Sequence, residues 1–208
     1  MKNVLLTSNG LSNVNLVKHF YSILPKNIEE TSLAIIMNGT NDFSKKIEKT
    51  SKRISRGKII GFGKIDIIDL ELRKPKILEN YDCIEIAGGN PFILLEILKR
   101  KNVDKILINL VKEGKIIIAD SGGSFILSPN LNFINYVDEK LNSEIKLLDL
   151  EALNIFPYEI FPHYDSYCEF NSGLRKASEN YEKENNIKLV KINDGQAVYS
   201  TDETYKLI

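Results

Sequence analysis

The chain has 208 residues, 43% of them hydrophobic, and carries 28 Lys+Arg against 28 Asp+Glu. Because the charges balance, no global field favours nucleic acid or an anionic membrane as a partner. No apolar run reaches the ~18 residues of a membrane span, and the first ten residues lack the layout of a signal peptide. This length and composition predict one domain over residues 1–208.

The small numbers of cysteines and histidines argue against a disulfide framework and against a multi-histidine metal site. Cys83 and Cys168 are too few for a disulfide framework and fit a reducing compartment, so we expect a cytoplasmic protein. With two histidines and neither HExxH nor CxxC spacing, a multi-histidine metal site is disfavoured. We therefore expect a mechanism that uses no metal and no cofactor.

In chain order, short apolar runs alternate with longer amphipathic ones. The runs that predict strands are residues 4–7, 33–37, 65–70, 83–87 and 116–119. The segments that predict helices are residues 13–24, 42–54, 91–100 and 103–113. Strands alternating with helices imply right-handed crossovers and a mainly parallel sheet with helices on both faces.

The pattern changes after about residue 130. Short apolar runs follow at residues 145–148 and 158–161, and residues 173–184 predict a helix. Residues 188–192, 196–200 and 204–208 predict an antiparallel meander, with Asn193-Asp194-Gly195 as its first hairpin turn. The predicted fold class is thus α/β, with a small C-terminal antiparallel hairpin region.

Ser121 is the strongest candidate for a functional side chain. A β-branched run leads directly into Asp120-Ser121-Gly122-Gly123, and a helix is predicted to follow. This layout is typical of a nucleophile elbow, in which a tight turn presents the hydroxyl at a helix N-terminus where backbone N–H groups can bind an oxyanion. A plain strand-to-helix turn with Ser121 as N-cap remains an alternative.

Two other strand ends carry candidate groups. Gly88-Gly89-Asn90 follows the fourth strand, where backbone N–H groups could form an oxyanion hole or simply a tight turn capped by Asn90. His163 follows the run 158–161, and imidazole is the base best suited to activate a serine. A loop histidine bound to a backbone carbonyl is the alternative there, whereas His19, inside the first predicted helix, is expected to be structural.

Three segments together resemble the peptidase S51 family, the group of aspartyl dipeptidase (peptidase E) and cyanophycinase. Residues 86–95 are similar to its GGGN-x-F-x-L-L pattern, and residues 114–123, followed by Ser128-Pro129, to its G-x-S-A-G elbow. Residues 153–165, which end in Pro-His-Tyr-Asp, resemble its third motif. The resemblance implies a fold like class I glutamine amidotransferases and flavodoxin.

The resemblance also implies roles for individual residues. Ser121 would be the nucleophile and His163 its general base, with the N–H groups of Gly89 and Gly122 as oxyanion donors. Asn90 and Arg175 would bind substrate. Arg175 lies near the position where family members carry an arginine that pairs with an acidic substrate group, although a solvated arginine at a helix start is the alternative.

The third triad member departs from the family pattern. Tyr136 stands where peptidase E has its aspartate, and a neutral phenol cannot stabilise an imidazolium as a carboxylate does. We expect a two-residue loop adjustment to bring in Asp138 instead, with Glu139 in reserve. Both could equally be solvated loop acids.

The resulting hypothesis is a serine-type peptidase that hydrolyses short peptides, with an N-terminal Asp as the side chain that the family suggests. We expect a small peptide substrate, no nucleic acid or membrane partner, and a monomer or homodimer. One alternative is a non-catalytic S51-like binding protein, which Tyr136 motivates. The other is an isoaspartyl or cyanophycin-type hydrolase, which changes only the substrate.

Overall fold

The structure is a computed structural model that describes residues 2–202 and 204–208, and a mostly parallel sheet runs through them. Seven strands of this described region form the sheet, and five of them match the strands predicted before residue 130. They are β1 (Asn3–Thr7), β2 (Ser32–Ile36), β3 (Lys64–Ile68), β4 (Cys83–Ile86), β5 (Ile116–Asp120), β8 (Ala197–Ser200) and β9 (Tyr205–Leu207). Their order is β3-β2-β4-β5-β1-β8-β9, with β8 and β9 antiparallel.

Helices cover both faces of the sheet. They are α1 (Val14–Ser22), α2 (Phe43–Ile60), α3 (Pro91–Arg100), α4 (Val103–Lys112), α5 (Gly122–Leu127), α6 (Asn132–Val137), α7 (Tyr164–Phe170) and α8 (Gly173–Asn185). Buried residues of α1 and α2 pack on one face, and those of the later helices pack on the other. The predicted two-sided α/β layout is confirmed, and it explains why the parallel strands are apolar at nearly every position.

The core alternates between the two faces residue by residue. Leu5 of β1 packs with the α1–α2 side, whereas Val4 and Leu6 pack with the opposite side. This period of two follows from strand geometry, in which successive side chains point to opposite faces. The same alternation assigns Ile118 and Asp120 of β5 to one face and Ala119 to the other.

The C-terminal region differs from the predicted meander in its first turn. Residues 190–192 form β7 (Val190–Ile192), which pairs in parallel with β6 (Ile160–Pro162) in a separate two-stranded sheet. Residues 193–195 therefore connect two sheets and are not a hairpin turn. The second predicted hairpin, β8–β9, is present.

Smaller differences concern lengths. Helix α2 continues to Ile60, six residues beyond the predicted end, and stops at Gly61 in the left-handed conformation. Residues 145–148 form no strand within the described part of the chain. Across the described residues, none of the helices is both long and apolar enough to cross a membrane.

Candidate active site

Ser121 occupies a strained turn between β5 and α5. Its backbone has φ 51° and ψ −113°, a region that L-residues rarely adopt and that costs about 1–3 kcal/mol. The turn is held because the Ser121 N–H donates to Thr7 O at 2.9 Å, while Ser124 N–H donates back to Ser121 O at 2.9 Å. Ser121 occupies the N-cap position of α5, but its side chain makes no cap hydrogen bond to the helix.

Close backbone approaches explain the glycines around Ser121. A Cβ on Gly122 would lie 2.0 Å from Gly89 O, and one on Gly123 would lie 2.3 Å from Ile86 O. Gly89 has φ 152°, and a Cβ there would lie 2.3 Å from Gly39 O. The loops after β2, β4 and β5 therefore pack backbone against backbone, which places Gly88 against Ser121 and Gly89 against Gly122.

His163 binds a carboxylate through its Nδ1 atom. The partner is Asp194, whose Oδ1 lies 2.5 Å from Nδ1, and the His163 side chain is only 17% exposed. This contact fixes the ring and leaves Nε2 as the other nitrogen. The contacts of His163 within residues 2–202 and 204–208 do not include a hydrogen bond to Ser121, although both residues line one cavity.

The pairing of β6 with β7 brings His163 and Asp194 together. Pro162 and Ile192 are register partners at the ends of these parallel strands, so the residues that follow them emerge side by side. Ser8, at the end of β1, ties the pair to the main sheet by accepting from His163 N–H at 3.0 Å and donating to Ile192 O at 3.1 Å. Asp165 accepts the Asp194 N–H at 2.9 Å.

Asp138, the expected third triad member, is not among the described contacts of His163. It is an exposed residue at the end of α6, and the carboxylate that contacts His163 is that of Asp194. Glu139 is also exposed, and the Tyr136 ring packs 5.2 Å from the ring of Tyr181 on α8. The two-residue loop adjustment that we expected does not bring Asp138 to the imidazole. Asp194, which follows β7, occupies the position on Nδ1 that we assigned to Asp138.

Sequence reasoning missed Asp194 because residues 193–195 resemble a hairpin turn. A signal was nevertheless present. Asp194 lies two residues after the predicted strand 188–192, just as His163 lies two residues after the run 158–161, and functional side chains collect at strand ends. This position marks Asp194 as a polar residue near a strand end, but it does not indicate that Asp194 meets His163, which depends on the pairing of β6 with β7.

Tyr167 of α7 is a second residue that the sequence did not indicate. Its ring lies 5.1 Å from the His163 ring, and Tyr167 and Ser121 line the same cavity. Burial, reinforced by the negative charges of Asp194 and Asp138, raises the pKa of Tyr167 above its usual value. The phenol is therefore neutral at ordinary pH in the cavity that Ser121 lines.

The two predicted substrate-binding residues have structural partners. Asn90 caps α3 through Oδ1, which accepts from Phe92 N–H at 2.9 Å, and its Nδ2 donates to Leu141 O at 2.7 Å. Arg175 is exposed on α8 and donates to the Tyr164 hydroxyl at 3.2 Å. Among the described residues that line the cavities at Ser121, Asn90 is present and Arg175 is absent.

A buried ion-pair cluster lies behind the serine. Arg53 of α2 pairs with Glu85 of β4 and Asp120 of β5, and Arg56 pairs with Glu85 at 2.6 Å. Burial opposes the charged form of Arg53, but Glu85 and Asp120 outweigh it and raise the pKa of Arg53 above its usual value. The cluster anchors α2 to the residue that immediately precedes Ser121.

A cavity of about 720 Å³ opens at Ser121. His163 and Tyr167 line it as well, and one wall is a basic face of α2 formed by Lys45, Lys49, Lys52, Arg53 and Arg56. The carboxylates in its described lining are Asp42, Asp120 and Glu144. Cationic side chains therefore outnumber anionic ones around this opening.

Comparison with known proteins places the chain in a family. The model for "Peptidase family S51" matches residues 4–208, which is nearly the whole chain. The chain belongs to peptidase family S51. The expectation drawn from the three sequence segments is thereby confirmed.

Curated relatives carry peptidase names. "Uncharacterized peptidase Lin0382" of Listeria innocua is 33% identical over 126 residues, which are 61% of this chain and 58% of that protein. "Peptidase E" of a Nostoc species is 26% identical over 148 residues, which are 71% of this chain and 56% of that protein. The matched region of this S51 chain spans less than two thirds of the length of these relatives.

Solved structures agree on the fold. A crystal structure of a candidate peptidase E from Listeria monocytogenes covers all of this chain and 98% of that one, with a TM-score of 0.77 at 23% identity. A peptidase from an acI-B1 actinobacterium covers 100% of this chain and 87% of that one, with a TM-score of 0.72 at 15% identity. The S51 chain has the flavodoxin-like, class I glutamine amidotransferase-like fold that the resemblance implied.

Proposed function

We propose that this S51 chain is a serine-type peptidase that hydrolyses short peptides, with Ser121 as nucleophile and His163 as general base. One observation carries the proposal. The strained Ser121 turn opens into the same cavity as an imidazole whose Nδ1 is bound by a carboxylate. A strained serine, a base and a group that orients the base are the three parts that nucleophilic catalysis requires.

The geometry favours Asp194 over Asp138 as the group that orients His163. A carboxylate on Nδ1 selects the tautomer with the proton on that nitrogen and leaves Nε2 free to accept one. It also stabilises the imidazolium formed when the serine is deprotonated. Asp194 is in contact with Nδ1, and Asp138 is not among the described partners of that atom.

The reaction follows from this arrangement. Ser121 Oγ attacks the scissile carbonyl carbon and transfers its proton to His163 Nε2, while the N–H groups of Gly89 and Gly122 stabilise the oxyanion. The imidazolium then protonates the departing amine, and the C–N bond breaks to leave an acyl-enzyme. Water, deprotonated by the same nitrogen, attacks the ester, and Oγ recovers the proton. In the described part of the chain, His163 and Ser121 line the same cavity without a hydrogen bond between them. The contact between Oγ and Nε2 therefore has to form on substrate binding, as in many apo sites.

The basic wall of α2 supports short peptides as substrates. Lys49 is a half-buried cation of this wall, and its ammonium has no ion pair among the described residues. A dipeptide or tripeptide places its terminal carboxylate within a few ångströms of the scissile bond, where the cations of the α2 wall, Lys49 above all, can attract it. We retain the prediction of a cytoplasmic location, to which the two free buried cysteines are suited.

Active-site labelling combined with turnover tests the proposal. We expect a fluorophosphonate to label Ser121 in the wild-type protein and to leave Ser121→Ala unlabelled, since the probe needs an activated hydroxyl. Ser124→Ala is the matched control, because Ser124 is buried and bonded to Thr7 in the same turn. Dipeptide turnover should disappear in Ser121→Ala. Equal labelling of wild type and Ser121→Ala, or labelling and turnover by neither, would support a non-catalytic binding protein instead.

A further inference from the structure

Ser121 stands where two cavities meet. The second has a volume of about 600 Å³ and shares Gly89, Ser121 and Tyr167 with the first. His163 lines the first cavity, whereas Gly122 lines the second. In acyl transfer the general base returns its proton to the leaving amine, so the leaving group lies on the imidazole side. The acyl residue of a peptide then extends into the second cavity, which we call the acyl chamber.

The walls of the acyl chamber are largely apolar. Tyr167 and Asn171 add polar groups, and the apolar side chains include Phe125, Ile134, Val137, Leu141, Phe161 and Leu174. The most buried of these side chains are Phe125, Ile134 and Phe161, which are 5%, 6% and 1% exposed. The other three are partly buried and pack against the same core cluster. The chamber is thus a continuation of the hydrophobic core that ends at the nucleophile.

Charged groups occupy only the rim of the acyl chamber, and they are mostly negative. Asp138, Glu139 and Lys140 line it as exposed residues, giving two carboxylates against one ammonium. Arg175, the cation that the family resemblance assigned to an acidic substrate group, binds Tyr164 instead. An aspartate side chain placed here would lose water, meet apolar walls and face a net negative rim.

We propose that the acyl chamber binds an uncharged apolar side chain, such as leucine, methionine or phenylalanine, and that it discriminates against aspartate. This inference rests on the proposed peptidase function and specifies the residue on the acyl side of the scissile bond. An apolar side chain gains by leaving water for these walls, which require no charge partner. A carboxylate gains no comparable free energy on transfer from water to this chamber.

A dipeptide series measures the preference directly. The substrates are Leu-Leu, Phe-Leu, Asn-Leu and Asp-Leu, in which Asn-Leu separates the effect of charge from that of shape. We expect kcat/KM for Leu-Leu and Phe-Leu to exceed that for Asp-Leu by about tenfold or more, with Asn-Leu between them. Labelling of Ser121 with Asp-Leu as the best substrate would overturn the inference and leave the peptidase function intact. No labelling and no turnover of any dipeptide would overturn both.

Variants of the chamber test its role within one protein. Leu174→Arg adds a guanidinium to the chamber, and we expect it to shift the ratio of Leu-Leu to Asp-Leu turnover toward Asp-Leu by about tenfold. Leu148→Arg, the same change at a loop position that is 97% exposed, should leave the ratio unchanged. If Leu174→Arg fails to fold, Val137→Arg introduces the same charge from a half-buried position of the chamber. A ratio that moves equally in the chamber variant and in Leu148→Arg would contradict the proposal.

Lys140→Met addresses the opposite possibility, in which the rim ammonium recruits acidic substrates. We expect the Asp-Leu to Leu-Leu ratio to stay the same or fall only slightly, because Lys140 is exposed and two carboxylates, Asp138 and Glu139, line the same rim. Selective loss of Asp-Leu turnover would show that the chamber recognises a carboxylate through Lys140 and would overturn the assignment.

Discussion

At the residue scale, two aspartates near Ser121 have different surroundings, and this difference can be measured. We predict that Asp194→Asn lowers kcat strongly, by up to about 10⁴-fold, because an amide neither fixes the productive tautomer nor stabilises the imidazolium. Both residues are aspartates of loops near the candidate site, so Asp138→Asn is the matched control and should change kcat only a few-fold, about the effect of a surface charge. Steady-state kinetics with one dipeptide, after thermal melts show that both variants fold, make the comparison.

If Asp138→Asn lowered kcat more than Asp194→Asn, Asp138 would be the third triad member, as the sequence suggested. Labelling by a fluorophosphonate adds an independent measurement, because it reports serine activation without requiring a correct substrate. Asp194→Asn should slow labelling, whereas Asp138→Asn should leave the rate near that of wild type.

Individual site residues were predictable when their signal was local. Ser121 and its glycines form one continuous run, and His163 follows an apolar strand directly. Asp194 was not predictable in this way, because its contact with His163 depends on the parallel pairing of β6 with β7 across about thirty residues, a long-range arrangement. Nothing in the Asn193-Asp194-Gly195 turn itself distinguishes a hairpin from a crossing between sheets.

At the element scale, the β5–α5 turn depends on the absence of side-chain atoms. We predict that Gly122→Ala destabilises the protein and lowers activity, because the new Cβ would lie 2.0 Å from Gly89 O and must displace backbone. The cost should be about 1–3 kcal/mol, typical of overpacking, and kcat/KM should fall further because Gly89 and Ser121 move apart.

Gly173→Ala provides the control for this substitution. Gly173 begins α8, and a Cβ there would meet only Asn171 Oδ1 at 3.3 Å, a side-chain atom that can move. Alanine at that position should leave the melting temperature unchanged or raise it slightly. Equal melting temperatures for the two variants, measured by calorimetry, would show that the elbow tolerates a methyl group.

At the scale of the whole molecule, the parallel sheet could be predicted from the sequence because its strands share one pattern. Strands buried on both faces are apolar at most positions, and the glycines and polar residues at their ends mark where the chain turns. The region after residue 130 was harder, since its strands have three or four residues and their partners are distant in sequence. Short apolar runs do not specify whether they pair with a neighbour or with β1.

We expect the stability of the fold to depend on pH through Asp82, which directly precedes β4 and hydrogen-bonds to Ser32 at the start of β2. Its carboxylate accepts from Ser32 N–H at 2.8 Å and from the Ser32 hydroxyl at 2.6 Å, and it pairs with Lys26 at 3.0 Å. Burial alone would raise the pKa of Asp82, but the Ser32 hydrogen bonds and Lys26 outweigh it and lower the pKa to about 2 from an ordinary 3.8.

Because the folded state binds this proton more weakly than the unfolded chain, the contribution of Asp82 is complete above the unfolded pKa and is lost as pH falls from about 4 to about 2. We predict that Asp82→Asn lowers the melting temperature by about 2–4 °C at neutral pH, the shift expected for roughly 1 kcal/mol in a chain of this size. The gap from wild type should then close as the pH approaches 2. Glu79→Gln, an exposed acid in the preceding turn, removes the same charge and should show no such convergence. Parallel melting curves for wild type and Asp82→Asn across this pH range would contradict the assignment, because a carboxylate that stabilises the fold only when ionised must lose its effect on protonation.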